Sequence, residues 1–396
     1  MLDSTKSADL VKNLFSIYRP NFIWAPTGTT AYLNCDPIYT YRGYSLYRFS
    51  DVNHSLYQDL ALLLTTSGST GSPKLVRLSY DNIKSNAESI AEYLTINKNE
   101  RPVTSLPMHY SYGLSVINSH LIKNATILLT DKSVMQREFW DFVKKHGATS
   151  IAGVPYTYEM LRRLRFERMD IPTLKTLTQA GGKLNPKLVN EFVEDSLSKQ
   201  RRFIVMYGQT EATARMSYTP WSRAREKSES VGIAIPGGQF RLIDNSGNEI
   251  NEAGIDGELI YEGPNVSLGY AENESDLTLG DLNQHVLHTG DIAQRDEDGF
   301  YYITGRLKRF VKIWGNRCNL DAIEQLLKPI IPEVACVGAD DLITIFTIEE
   351  GHETTLKNIL TQKTGLNGRA FSVRVIPEIP KNESGKTLYS ELQKML

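Results

Sequence analysis

The chain has 396 residues and a mass of 44.6 kDa, too long for one compact core and enough for two or three domains. It is 41% hydrophobic and 23% charged, which excludes a disordered chain. Lys plus Arg is 44 against 46 for Asp plus Glu, so the net charge of −2 lacks the basic excess of a nucleic-acid or anionic-membrane binder. No apolar run approaches the ~18 residues of a membrane span; the richest, Leu60 to Leu64, is far shorter. The start carries Asp3, Lys6, Asp9 and Lys12 and no apolar h-region, so no secretory signal is expected. Cys35, Cys318 and Cys336 lack metal-ligand spacing and fit a reducing compartment. A cytoplasmic protein is expected.

In chain order, Ser7 to Tyr18 reads as an amphipathic helix and Phe22 to Ala25 as a short strand. The Tyr-rich stretch Asp36 to Tyr47 gives no clear pattern. Ala61 to Thr65 is a buried strand by composition, followed by a Ser/Gly/Thr loop. Tyr80 to Leu94 reads as a helix, with Ser79 or Asp81 near its N-cap. Strands are expected at Ala125 to Leu129, Ser150 to Gly153, Thr176 to Ala180 and Phe203 to Tyr207, separated by helical stretches. That alternation predicts a wound α/β sheet. After Ile233, the runs FRLIDNSGNEI, GELIYEG and GFYYITG are short strands broken by Gly and Asn, a small-strand subdomain. From about Arg309 a compact α+β tail follows, with helices at Leu320 to Leu327 and Thr355 to Lys363 and a strand at Phe371 to Val375. The charged turn Gly305 to Lys308 divides an N-terminal domain, 1–307, from a C-terminal one, 308–396.

The segment LLTTSGSTGSPK, Leu63 to Lys74, sets hydroxyls, glycines and a lysine after a strand end. Glycines let backbone approach a polyphosphate closely, N–H and O–H groups donate to its oxygens, and the cation offsets charge. Alone, SGSTGS reads more readily as an ordinary surface loop. Gly68 to Lys74 does not fit the GxxxxGK[ST] pattern of P-loop NTPases. Gly385-Lys386-Thr387 lacks the upstream glycine, whose place Pro380 holds.

The string TSGSTGSPK resembles the signature of the acyl-adenylate-forming superfamily of acyl-CoA synthetases, peptide-synthetase adenylation domains and luciferases. Four further strings resemble that family's motifs in order: YGQTEA from Tyr207, HTGDIAQRDEDGFYYITGR from His288, KIWGNRCNLDAIE from Lys312 and PKNESGK from Pro380. The resemblance implies a large N-terminal AMP-binding domain and a mobile C-terminal domain. It implies ATP and Mg²⁺ as cofactors, and activation of a carboxylic acid with release of pyrophosphate.

By the same resemblance, Thr66, Ser67, Gly68, Ser69, Thr70 and Lys74 serve the β- and γ-phosphates. Tyr207, with Gly208 and Gln209 beside it, faces adenine, Gly181 and Gly182 wall the adenine side, and Thr210 meets the α-phosphate. Glu211 holds Mg²⁺, an oxygen-seeking ion commonly bound through few carboxylates plus phosphate. Asp291 accepts the ribose hydroxyls, Arg306 lies near ribose and phosphate, and Lys308 is the hinge. Lys386 neutralises charge developing at the attacking carboxylate and α-phosphate. LPMHYSYGLSV, Leu106 to Val116, resembles the acyl-pocket lining and makes His109 a catalytic candidate. It contains no carboxylate to pair with a substrate ammonium, which favours an acid without an α-amino group.

The phosphate loop begins about 65 residues in, earlier than in relatives, so a shortened N-terminal region is expected, minimal or completed by another protomer or partner. The acyl group would pass to a thiol. Arg317 in KIWGNR favours the phosphopantetheine arm of an acyl carrier protein over free CoA, and a non-catalytic nucleotide-binding regulator is the alternative from another class.

Overall fold

A computed structural model describes residues 1–2, 8–29, 36–65, 74–314, 316–339, 341–381 and 385–396. The chain is mixed α/β, as expected, and divides into two units that interleave along the sequence. One comprises Met1–Leu129, Gln209–Arg215 and Gly263–Leu287; the other comprises Thr130–Gly208, Met216–Glu262 and His288–Leu396.

In the first unit, the helix Ala8–Tyr18 buries Leu14 and Tyr18 against Leu75, Ala271 and Leu277, and the Tyr18 hydroxyl donates to the Ala271 carbonyl at 2.8 Å. The expected strand is Phe22–Pro26, and it pairs antiparallel with Tyr44–Arg48. Tyr39–Tyr41 completes a hairpin that the sequence did not reveal. Its two-residue turn sets both Arg42 (φ 48°) and Gly43 (φ 80°) in left-handed backbone. Asn-Gly is the usual signal for that geometry, and Arg-Gly hides it.

A second sheet of this unit places Leu75–Ser79, buried at every position, between Leu60–Thr65 and Gly269–Ala271. Arg77 on its central strand is fully buried and donates to the carbonyls of Leu268, Tyr270, Leu279 and Gly280, which fixes the chain around Tyr270. Ser79 is the N-cap of the helix Tyr80–Tyr93: its hydroxyl accepts from Asn82 N at 3.0 Å, and Asn82 Oδ1 accepts from Ser79 N at 2.9 Å. The strand expected at Ala125 to Leu129 is not formed. Only Leu128 bridges, to Val103, and Leu129 is 68% exposed. Four apolar residues and a threonine are too few to separate a strand from an apolar turn by pattern alone.

The second unit contains parallel strands Ser150–Gly153, Thr176–Gln179 and Arg202–Tyr207, with the helices Pro155–Arg163 and Pro186–Ser198 as crossovers. Antiparallel Ser217–Tyr218 and Ile233–Ala234 extend this sheet. The expected short strands form a four-stranded antiparallel sheet in the order Gln239–Ile243, Gly257–Glu262, Val286–Arg295, Tyr301–Arg306; the first two residues of Val286–Arg295 count with the first unit. A 3-10 turn, Leu307–Arg309, follows. The hairpin Phe310–Ile313 and Asn316–Asn319, the helix Leu320–Leu327 and strands Val334–Ala339, Leu342–Thr347 and Phe371–Val375 come next. This stretch buries a core of its own around Ile323, Leu327, Ile345, Leu356 and Phe371.

Candidate functional site

Thr66, Ser67, Gly68, Ser69 and Thr70 lie outside the described residues, as do the side chains of Lys308 and Arg317. Within the first unit, Lys74 stands directly before the buried strand, its Nζ 3.7 Å from the centroid of the Tyr270 ring and 3.8 Å from Glu272. A ring face attracts a cation through its quadrupole. The Tyr270 hydroxyl donates to Glu211 Oε1 at 2.8 Å. Burial, then the nearby charge of Glu211, raises the Tyr270 phenol well above its ordinary range, so it remains a donor at physiological pH. A cation, a hydroxyl and a carboxylate from three separate sequence segments thus converge. Tyr270 is the residue that sequence reasoning missed; GPNVSLGY offered a Gly-Tyr pair with no distinctive chemistry.

The turn carrying Thr210 and Glu211 is held from several sides. The Glu211 carbonyl accepts from Ser267 N at 2.8 Å, and the Asn265 amide donates to the carbonyls of Ala212 and Arg215. Thr213 (φ 57°) and Ala214 (φ 109°) follow in left-handed backbone, a strained reversal that those hydrogen bonds hold in place. Thr210 Oγ1 lies 3.2 Å from Ser111 Oγ, the first residue of the helix Ser111–Leu121. His109 is half-buried in the turn just before. Gly113 lets this helix approach that turn: a Cβ there would stand 2.2 Å from the Pro107 carbonyl oxygen.

Within the second unit, Tyr207 ends a parallel strand and Gly208 follows it, while Gln209 opens the first unit's segment. The Tyr207 hydroxyl donates to Asp291 Oδ2, across 84 residues of sequence. Arg306 Nε donates to Asp291 Oδ1 at 2.8 Å, from the facing position on the paired strand. Asp291 is 2% exposed whereas the Arg306 side chain is 62% exposed. The Asp291 charge raises the guanidinium pKa further. Both Asp291 oxygens are therefore engaged, and a carboxylate offers about four acceptor sites in all.

Gly181 turns with φ 86° after the strand Thr176–Gln179, and the Gly182 carbonyl accepts from Gln179 Nε2 at 2.9 Å. A Cβ on Gly182 would lie 3.1 Å from Pro155 Cγ, and one on Gly385 would lie 3.0 Å from Tyr156 Cβ. The glycine turn and the Lys386 loop thus border the first turn of one helix, Pro155–Arg163. Lys386 itself is half-buried. The neck of its loop is closed by a Lys381–Thr387 bridge and by Leu388 N donating to the Pro380 carbonyl at 2.8 Å.

Within the first unit, Lys74 and Thr210 can meet phosphate oxygens, and Glu211 supplies one hard carboxylate oxygen for a magnesium ion held chiefly by phosphate and water. Within the second, Asp291 is a carboxylate suited to accepting hydroxyls. Among the described residues no helix is long and apolar enough to cross a membrane.

The chain is 30% identical over 368 residues to a long-chain-fatty-acid–CoA ligase of Escherichia coli O157:H7, covering 88% of this chain and 64% of that protein. It is 26% identical over 348 residues to an indoleacetate–CoA ligase of Aromatoleum aromaticum, covering 85% of this chain and 67% of that one. The O-succinylbenzoate coenzyme A synthetase of Bacillus subtilis in complex with AMP has the same fold. Its TM-score is 0.70 at 23% identity, over 85% of this chain and 70% of that one. The same synthetase with ATP and magnesium gives a TM-score of 0.71 at 22% identity, over 88% and 73%. The model of the AMP-binding enzyme family matches residues 40–271, and the chain belongs to that family.

Proposed function

We propose that the chain activates a carboxylic acid with ATP and Mg²⁺, releasing pyrophosphate, and passes the acyl group to the thiol of CoA. The observation that carries this reading is the convergence of Lys74, Tyr270 and Glu211, which matches what a magnesium polyphosphate requires. ATP, when bound, supplies an electrophilic α-phosphorus and a pyrophosphate leaving group. Lys74 and Thr210, with Thr66 to Thr70, bind phosphate oxygens, and Glu211 holds the magnesium. Asp291 orients the ribose, steadied by Tyr207 and Arg306, and Gly181 and Gly182 leave room beside the adenine. His109 borders the acid. Lys386 offsets negative charge as the carboxylate attacks, a role of positioning and electrostatics.

The relatives named as CoA ligases support CoA as acceptor more than the carrier protein expected from Arg317. Lys308, in the 3-10 turn after the strand Tyr301–Arg306, is proposed as the pivot between 1–307 and 308–396, supported by the separate core of the C-terminal stretch.

Single-turnover assays that follow acyl-AMP and acyl-thioester separately, with CoA and a phosphopantetheinylated carrier as acceptors, test the reading. Both species should appear in sequence, the second with CoA. Lys386→Ala should lower formation of the first at least 100-fold, about 3 kcal/mol of transition-state stabilisation, with ATP affinity retained. An undiminished rate in that variant would remove Lys386 from the mechanism, and transfer to the carrier alone would reverse the choice of acceptor.

A further inference from the structure

Arg309 is the residue directly after Lys308, and its guanidinium is spent entirely on the C-terminal stretch. Nε donates to Asp321 Oδ1 at 2.8 Å, Nη1 to the Cys336 carbonyl at 2.8 Å and Nη2 to Glu324 Oε1. Its Cζ lies 3.6 Å from the centroid of the Tyr389 ring. Glu324, 4% exposed, accepts from Cys336 N at 2.8 Å and, through its other oxygen, from the Tyr389 hydroxyl at 2.9 Å. Tyr389 opens the last helix three residues after Lys386, just past the closed neck of the Lys386 loop. Burial, followed by the charge of Glu324, raises the Tyr389 phenol far above its ordinary range, so it stays a donor.

We infer that Arg309 and Tyr389 are positioning residues that tie the Leu307–Arg309 turn, through Glu324, to the base of the loop bearing Lys386. The inference rests on the role proposed for Lys386. A buried ion pair contributes little net stability against apolar groups of the same shape, but it fixes geometry where both partners are fully hydrogen-bonded. Here every arm of the fork is used. Rotation at the turn is transmitted to the lysine loop as a rigid movement, and a loosened tie leaves Lys386 misplaced by a fraction of an ångström. Misplacement on that scale costs catalysis more than it costs folding.

The test uses the full chain with Tyr389→Phe, which keeps the ring and removes the hydroxyl, and Arg309→Lys, which keeps the charge and removes the fork. Two rates are read: acyl-adenylate formation, which needs Lys386, and thioester formation from supplied acyl-adenylate, which does not. The expected result is a fall of about 10-fold in kcat of the first, an unchanged KM for ATP, and a second rate within about two-fold of the parent. Backbone hydrogen exchange at 385–388 should quicken in Tyr389→Phe by more than the accompanying fall in Tm accounts for. Equal losses in both rates that track Tm, or unaltered exchange at 385–388, would overturn the tie. Failure of the parent chain to form acyl-adenylate with any acid would instead sink the proposed function. The hydrogen-exchange comparison would still decide whether the tie exists.

Discussion

The two carboxylates at the centre of the candidate sites are held in opposite ways. Asp291 is buried on a strand and engaged at both oxygens by Tyr207 and Arg306, so the fold has set its orientation before any ligand arrives. Glu211 is half-exposed on a strained turn, with a phenol from Tyr270 on one oxygen. A group that orients a ligand equally in ground and transition states is best pre-organised. One that must coordinate an incoming, partly hydrated cation needs an accessible oxygen. The difference predicts that stability and binding follow Asp291, whereas turnover follows Glu211.

Glu211→Gln should show the largest effect. Acyl-adenylate formation should fall about 100-fold or more, with Tm unchanged, because the amide keeps the Tyr270 hydrogen bond and loses the charge. A lower Tm with normal turnover would break the contrast. Asp291→Asn should weaken nucleotide binding roughly 10-fold and lower Tm, since a charge-assisted bond to Arg306 is lost. Calorimetry showing parental nucleotide affinity in a folded variant would remove Asp291 from the ribose role. Tyr270→Phe keeps the ring under Lys74 and frees Glu211, so turnover should fall a few-fold and the Mg²⁺ concentration for half-maximal rate should rise. No change in that Mg²⁺ dependence would separate Tyr270 from the metal.

The remaining effect is on stability alone and concerns a residue outside both sites. His120 is 4% exposed, and its Nδ1–H donates to the Val116 carbonyl at 2.7 Å. Burial lowers its pKa from 6.5 to about 4. The unfolded chain then binds a proton that the folded chain refuses, so this contribution is complete above pH 6.5 and is lost as pH falls towards 4. It amounts to at most roughly 3 kcal/mol. Denaturant titrations should show a shallower acid slope for His120→Gln than for the parent over that window. Parallel slopes would mean that His120 is protonated in the fold.

The parallel strands were legible because apolar runs bounded by Gly and Asp carry both period and turn chemistry, whereas Tyr207 and Asp291 were singled out only by the resemblance of their motifs to those of a known family. The partnership between Tyr207 and Asp291 was not legible, since it joins residues 84 apart through one hydroxyl. Tyr270 escaped notice for the same reason. Its importance comes from Arg77, which gathers four carbonyls around it, and from Lys74 and Glu211, which meet on its ring and hydroxyl. The missed hairpin at Tyr39–Arg48 and the unformed strand at Ala125 to Leu129 were failures of short-range signal. In one case Arg-Gly stood in for a better turn pair, and in the other an apolar run was too brief to have a period.

Exchange of labelled pyrophosphate into ATP, run with the full chain across a library of carboxylic acids, tests the central claim most directly. The account predicts exchange that requires both Mg²⁺ and an acid, and that singles out one class of acids lacking an α-amino group. Binding of ATP without exchange for any acid would contradict it and leave a nucleotide-binding chain without turnover.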